Sequence, residues 1–243
     1  MKKAFPILAI LTALLLAYAF YQAMWVAPTE RTMGDVQRIF YYHVPSAWTA
    51  FVLFFVNFVA SVMYLVRRNP KADAVGFVSA EVGVIFCTVV LVTGPIWARP
   101  VWGIWWTWDL RLTLTLVLWL IYVSYLILRR FSDSAQTPTL AAVLAIFGAL
   151  DVPLVYFSIW FFRTQHPQPV IGGGGSIDPR MLHVLLINWL AFSCLAFLVC
   201  WARYRLEMFK RDVEEAEALE SLLESGTPAP VAKGKFPMSG ESR

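Results

Sequence analysis

The sequence predicts an all-α, polytopic membrane protein of about six transmembrane helices, and three observations carry that expectation. Hydrophobic residues make up 59% of the 243 positions and charged residues 15%, with a mean hydropathy of +0.62. A water-soluble domain of this length has too little interior to bury that much apolar surface. Six windows approach or exceed the roughly 20 apolar residues needed to cross a bilayer. Apolar and polar residues do not alternate at period two along them, so the spans are helices and not barrel strands.

In chain order the expected spans are Phe5–Val26, Ala47–Val66, Val75–Ile96, Leu112–Leu128, Leu140–Phe162 and Leu182–Trp201. The first begins MKKAFPILAI and contains Ala17-Tyr18-Ala19, a sequence that also suits signal-peptide cleavage. Its apolar run continues to Val26, long for a signal and adequate for a span, so an uncleaved anchor is expected. The short loops RRNPKAD and RRFSDSAQTP join spans two to three and four to five on one side. That side also holds Lys2, Lys3, Arg67, Arg68, Lys71, Arg129, Arg130, Arg203, Arg205, Lys210 and Arg211. The excess of basic residues places it, and both termini, in the cytoplasm. The net charge of +4 is therefore a matter of topology and does not point to nucleic acid.

The other side carries three segments, 27–46, 97–111 and 163–181, whose basic residues are Arg31, Arg38, Arg99, Arg111, Arg163 and Arg180 without a single lysine. Residues 1–206 are expected to form one six-helix domain. Residues 207–243 form a cytoplasmic extension, helical through LEMFKRDVEEAEALESLLES and then disordered by composition. Cys87, Cys194 and Cys200 lie in apolar spans as small buried hydrophobes, with no C-x-x-C pair and hence no C-x-x-C-H attachment site for haem. No Walker loop or dinucleotide fingerprint is present, and the run Gly172–Gly175 reads as a flexible turn.

The second outer segment, RPVWGIWWTWDLRLT, holds the chemistry. Trp97, Trp102, Trp105, Trp106 and Trp108 are five of the chain's eleven tryptophans, within twelve positions. One reading is an aromatic belt at the membrane boundary; a belt, however, scatters one or two tryptophans per helix end. The favoured reading is a binding platform for a large, flat, apolar ligand. On a helix, Trp102, Trp105, Trp106 and Asp109 would share one face, and Gly103 would admit a close approach. Arg99 and Arg111 at its margins suit carboxylates or phosphates, and Asp109 is expected to orient one of them.

Of the three histidines, His43 in YYHVPSAW and His166 in RTQHPQP lie on the tryptophan side, each closely followed by proline. A lone interfacial histidine is usually structural. Two beside an indole platform point to paired axial ligands for iron, because a planar macrocycle accepts one imidazole on each face. His183, inside the sixth span, is expected to be structural. A flat ring for indole, iron for two imidazoles and propionates for arginine describe haem b, held transiently. Glu81 and Asp151 lie within spans, where a carboxylate is paired or protonated; Glu81 is expected to meet the inner basic residues.

The motif W-G-x-W-W-x-W-D from Trp102 to Asp109, with HVPSAW around His43, VTGPIWARPVWGIWWTWDLRLT and SIDPRM, resembles the haem exporter protein C (CcmC) family of cytochrome c maturation. The likeness runs from about Gln37 to Met181; the related CcmF-type and CcsA-type lyases are longer. It implies haem bound on the periplasmic face of a bacterial inner membrane and delivered to the chaperone CcmE, which captures it covalently. Partners implied are CcmA, CcmB and CcmD, with ATP use in the cassette unit, alongside membrane lipid. By family pattern His43 and His166 correspond to the axial ligands. Trp102, Gly103, Trp105, Trp106, Trp108, Asp109 and Arg111 correspond to the platform. Gln165-His166-Pro167 departs from the family's usual Leu-His-Gln. Enzymatic character would be limited to promoting attachment of haem to CcmE. A bis-histidine membrane cytochrome is the first alternative, disfavoured because such ligands usually face each other inside the bundle. A small-molecule transporter is the second, with only Asn57, Asp151 and Asn188 as midspan polar residues.

Overall fold

A computed structural model describes residues 4–132, 134–162, 164–168 and 177–224. All regular structure among them is helical: α1 (Ala4–Tyr21), α2 (Phe40–Arg67), α3 (Pro70–Trp102), α4 (Leu110–Phe131), α5 (Thr137–Phe161) and α6 (Pro179–Glu224). All six helices are long and apolar enough to cross a membrane by length and composition. The chain divides into two compact units, Met1–Tyr204 and Arg205–Arg243. In the second, described by itself, Arg211 pairs with Glu207 at 2.8 Å and Lys210 with Glu214 at 3.4 Å, one helical turn apart. Lys2, Lys3, Arg163, the glycine run Gly172–Gly175 and the tail from position 225 lie outside the described residues.

Local sequence explains the helix ends. The hairpin between α2 and α3 takes two residues. Arg68 closes α2 in the left-handed region at φ 52°, and Asn69 caps α3 by accepting from Lys71 N at 2.9 Å with Pro70 at the first helical position. At the far end, α3 runs through Trp102, and Gly103 terminates it at φ +80°. Only glycine takes that conformation without strain, and no atom lies within 4 Å of where a Cβ would stand. Gly103 therefore stops the helix, and none of the described residues packs against its open side. Asp109 opens α4, its Oδ1 accepting from Leu112 N at 3.0 Å. Residues between Gly103 and Asp109 are not helical. The helical face joining Trp102, Trp105, Trp106 and Asp109 does not form.

The core of the first unit lies among α2, α3, α4 and α5, with Ala196 of α6 joining it. Phe54 and Tyr122 stack at 3.9 Å with ring planes 12° apart. Gly83 and Gly148 admit these rings: a Cβ on Gly83 would lie 2.7 Å from Phe54, and one on Gly148 would lie 3.1 Å from Tyr122. Small residues at helix contacts replace the hydrophobic drive that lipid removes. Two ion pairs join the helices. Asp73 and Arg129 form a two-pronged pair, at 2.8 Å for the longer bond, and Arg203 grips Glu81 at 2.8–3.0 Å. Glu81 thus meets α6, as its position near a basic end suggested. Asp151 is buried in α5, and its Oδ2 has no hydrogen-bond partner among the described residues.

The end of the bundle that bears the tryptophans is knitted differently. α1 finishes in a wide π-helical turn, Gln22–Val26, and α2 is preceded by a short 3-10 turn, Asp35–Ile39. Arg38 ties them together, donating to the Ala23 carbonyl at 2.7 Å and to Asp35 at 3.0 Å. Tyr41 packs among Ala23, Ala27, Val184 and Leu185, bringing α1, α2 and α6 to one cluster. Asn188 of α6 donates to the Ala19 carbonyl at 3.3 Å.

Candidate functional site

His43 stands one turn into α2 and leans on α3. A Cβ at Gly94 would lie 3.5 Å from its Cε1, so the ring lies against the glycine's open side. Its Nδ1 is 2.9 Å from Thr93 Oγ1. Thr93 uses its only hydroxyl proton on the Val89 carbonyl, at 2.7 Å. The Thr93 oxygen must then accept from the ring, so Nδ1 carries the proton and Nε2 keeps its lone pair. This is how a metal-binding imidazole is set: one nitrogen donates to a fixed oxygen while the other remains a ligand.

His166 reaches the same tautomer by other means. Its Nδ1 lies 2.9 Å from the Pro167 carbonyl, which can only accept, so Nδ1 donates and Nε2 is again bare. Pro167, whose effect on the loop was open in the sequence, supplies the fixing oxygen. The ring is half-buried by surface, but the protein around it pushes its pKa down to about 4, chiefly by burial. The Arg111 charge adds to this; the Pro167 bond and Asp109 oppose it. A neutral imidazole is thereby kept at all ordinary pH. His43, His166 and Arg111 lie within electrostatic reach of one another. His183 is exposed on α6.

The tryptophans form edge-to-face pairs and not a flat shelf. Trp97 and Trp102, in the last turns of α3, meet at 5.2 Å and 84°, and Trp106 and Trp108 at 5.8 Å and 77°. Trp105 and Trp108 are 59% and 77% exposed, far beyond the usual for indole; such apolar surface implies something outside the chain that covers it. The two arginines differ. Arg99 donates to the Gly103 carbonyl and so closes α3. Arg111 has a buried Nη1 without a partner among the described residues, as do Trp106 Nε1, Thr107 Oγ1 and Thr113 Oγ1 beside it in sequence. Buried donors without acceptors cost about 1–3 kcal/mol each; a flat ligand with an anionic edge would satisfy them.

Asp109 lies within electrostatic reach of Arg111, but its hydrogen bonds go elsewhere. No ion pair among the described residues joins it to Arg99 or Arg111; one oxygen caps α4, and the other accepts from Thr164 Oγ1 at 2.7 Å. Thr164 and Thr93 were not singled out by the sequence, and nothing in a local pattern marks them. Each contacts a partner about fifty residues away in the chain.

A bundle of six membrane-length helices with indoles, imidazoles and an unsatisfied guanidinium gathered at one end defines a multi-pass membrane protein with a candidate ligand cluster at its rim. The family model described as Heme exporter protein C matches residues 1–219. The protein is 36% identical to Heme exporter protein C of Bradyrhizobium diazoefficiens over 222 residues, 90% of this chain and 84% of the relative. It is 32% identical to Heme exporter protein C of Escherichia coli K12 over 201 residues, 82% of each chain. A putative cytochrome c biosynthesis ccmC-like mitochondrial protein of Arabidopsis thaliana is 32% identical over 232 residues, 93% of this chain and 87% of the relative. The chain belongs to the heme exporter protein C family.

Proposed function

We propose that this protein binds haem transiently at the periplasmic face of a bacterial inner membrane and delivers it to the chaperone CcmE for cytochrome c maturation. It would do so alongside CcmA, CcmB and CcmD, with both termini in the cytoplasm. The observation that carries the reading is the matched pair of imidazoles. His43 and His166 sit at one end of the bundle, each with its Nδ1 proton committed to an oxygen and its Nε2 lone pair free. The names of the relatives, heme exporter and cytochrome c biosynthesis protein, agree with it.

The residues divide the work by chemistry. His43 and His166 offer iron one imidazole on each side. Trp97, Trp102, Trp105, Trp106 and Trp108 present indole faces and edges to the macrocycle. Arg111, with an unused Nη1, suits a propionate, and Arg99, which commits only its Nη1 to the Gly103 carbonyl, keeps its other donors for a second. Ligation by two neutral imidazoles, without a covalent bond from this chain, leaves a vinyl edge free for capture by another protein. Delivery requires that the cargo be released, so haem is expected to be only partly retained on purification.

Co-expression with CcmE, followed by haem staining of denatured CcmE, tests the reading. Wild type should yield covalently loaded CcmE, and a chain with residues 102–108 scrambled should not. Normal loading by the scrambled chain would sink it.

A further inference from the structure

The two imidazoles are held unequally, and the difference assigns a role to Asp109. His43 belongs to a helix, rests on α3 and is fixed by Thr93. The ring of His166 is bonded only to the carbonyl of the next residue, which orients the ring relative to its own loop but does not place that loop in the molecule. What places it is a relay. Asp109 Oδ1 is anchored at the start of α4 by Leu112 N at 3.0 Å; Oδ2 accepts the Thr164 hydroxyl proton at 2.7 Å; Thr164 Oγ1 in turn accepts from the His166 backbone N at 3.1 Å. Among the described residues, this is the only hydrogen-bonded connection from the stretch 164–168 to another part of the chain.

We infer that Asp109 is the positioning residue for the second iron ligand, acting through Thr164 and not through an arginine. The chemistry requires a carboxylate. Two acceptor oxygens serve two donors in different directions, and a hydroxyl donating to a charged oxygen makes a short, strong bond that polarises the next bond in the chain. The last residue of the tryptophan motif is therefore mechanically coupled to the loop that carries His166. Whatever shifts the indoles also moves the ligand on that side, while His43 keeps its place. The inference rests on the haem reading for its spectroscopic consequence, but the relay itself can be tested without haem.

The test uses the full chain in detergent, loaded with ferric haem, and the variants Thr164→Val, Asp109→Asn, the double variant, Thr164→Ser and His166→Ala. Asp109→Asn retains an acceptor for Leu112 N but presents an amide donor where Thr164 needs an acceptor. Expected is a several-fold fall in the low-spin fraction for Thr164→Val and for Asp109→Asn, recovered by free imidazole and by Thr164→Ser. The double variant should be no worse than either single one, as two members of one link behave. In the haem-free protein, hydrogen exchange of the peptide covering 164–168 should quicken in both single variants. Wild-type spectra and wild-type exchange in Thr164→Val and Asp109→Asn would overturn the relay, as would additive losses in the double variant. If His166→Ala keeps a low-spin spectrum while exchange still quickens in the others, the haem-ligand reading fails and the relay stands.

Discussion

The ion pairs at one end of the bundle and the tryptophan segment at the other treat polar groups in opposite ways. At the end away from the tryptophans, Asp73 is matched to Arg129, Arg68 reaches Thr139 at 2.6 Å, and, deeper in the bundle, Glu81 is gripped by Arg203. Arg129 also lies over the Phe77 ring at 4.8 Å. At the tryptophan end, Arg111, Trp106, Thr107 and Thr113 keep buried donors without partners, and two indoles are largely exposed. A buried charge in a bilayer is costly unless paired. The matched end is therefore what folding by itself produces. The unmatched end makes sense as a surface whose partner is a ligand, which is why the chemistry is sought there and not at the bidentate ion pair.

If that contrast is right, substitutions at the two ends should fail in different assays. The largest effect on stability is expected at the matched end. Arg129→Met removes the two-pronged partner of buried Asp73, and breaking such a pair costs about 3–5 kcal/mol. Thermal unfolding in detergent should register it, while the haem spectrum of the surviving folded protein should match wild type. A spectral change there would erase the distinction between the ends.

Arg111→Gln should do the reverse. Removing a buried guanidinium whose Nη1 has no partner among the described residues should not lower the unfolding temperature, but a lost charged hydrogen bond to haem weakens binding by about 1.5–3 kcal/mol, roughly ten- to a hundredfold. Haem titration reads this directly, and unaltered affinity would show that Arg111 has no anion to hold. A smaller loss is expected from Trp102→Leu. Its edge-to-face contact with Trp97 is worth about 0.5–1.5 kcal/mol beyond area, so both stability and haem retention should fall modestly and together.

The most local effect is that of pH. The His166 pKa is depressed to about 4, against about 6.5 in an unfolded chain. Between those values the unfolded loop takes up a proton that the folded loop refuses. Stability of this loop is therefore complete above about pH 6.5 and declines as pH falls toward 4. Protection of residues 164–168 against hydrogen exchange, taken relative to the intrinsic amide rate at each pH, should fall over that interval, with the core of α2 to α5 keeping its protection. Protection of the loop that is constant from pH 7 to 4 would mean that His166 titrates as if in water.

Much of this architecture was legible in the residues. Apolar windows marked six helices to within a few turns, because a helix in lipid must satisfy its own backbone and show the bilayer a continuous apolar surface. The errors have local causes. Charge at Arg99 and the cluster of tryptophans suggested that the third span stops at Ile96, yet α3 continues to Trp102, where Gly103 ends it. Helical spacing then grouped Trp105 and Trp106 with Trp102 on a turn that the chain never makes. The bond from Asp109 to Thr164 was out of sight for a related reason: adjacent arginines are visible in the sequence, and a threonine 55 residues away is not.

The sequence by itself determined the class of protein, the number of helices and the residue types gathered at one end, since periodicity, hydropathy and clustering are properties of neighbours in the chain. Only the tertiary structure decided which nitrogen of each histidine is bare, which arginine is left unsatisfied and what Asp109 holds. Those outcomes depend on Thr93, Gly94, Pro167 and Thr164, small groups whose importance comes from where other helices and loops bring them. A hydrogen bond is a contact of about 3 Å, and no pattern along the chain specifies which distant atoms will come that close.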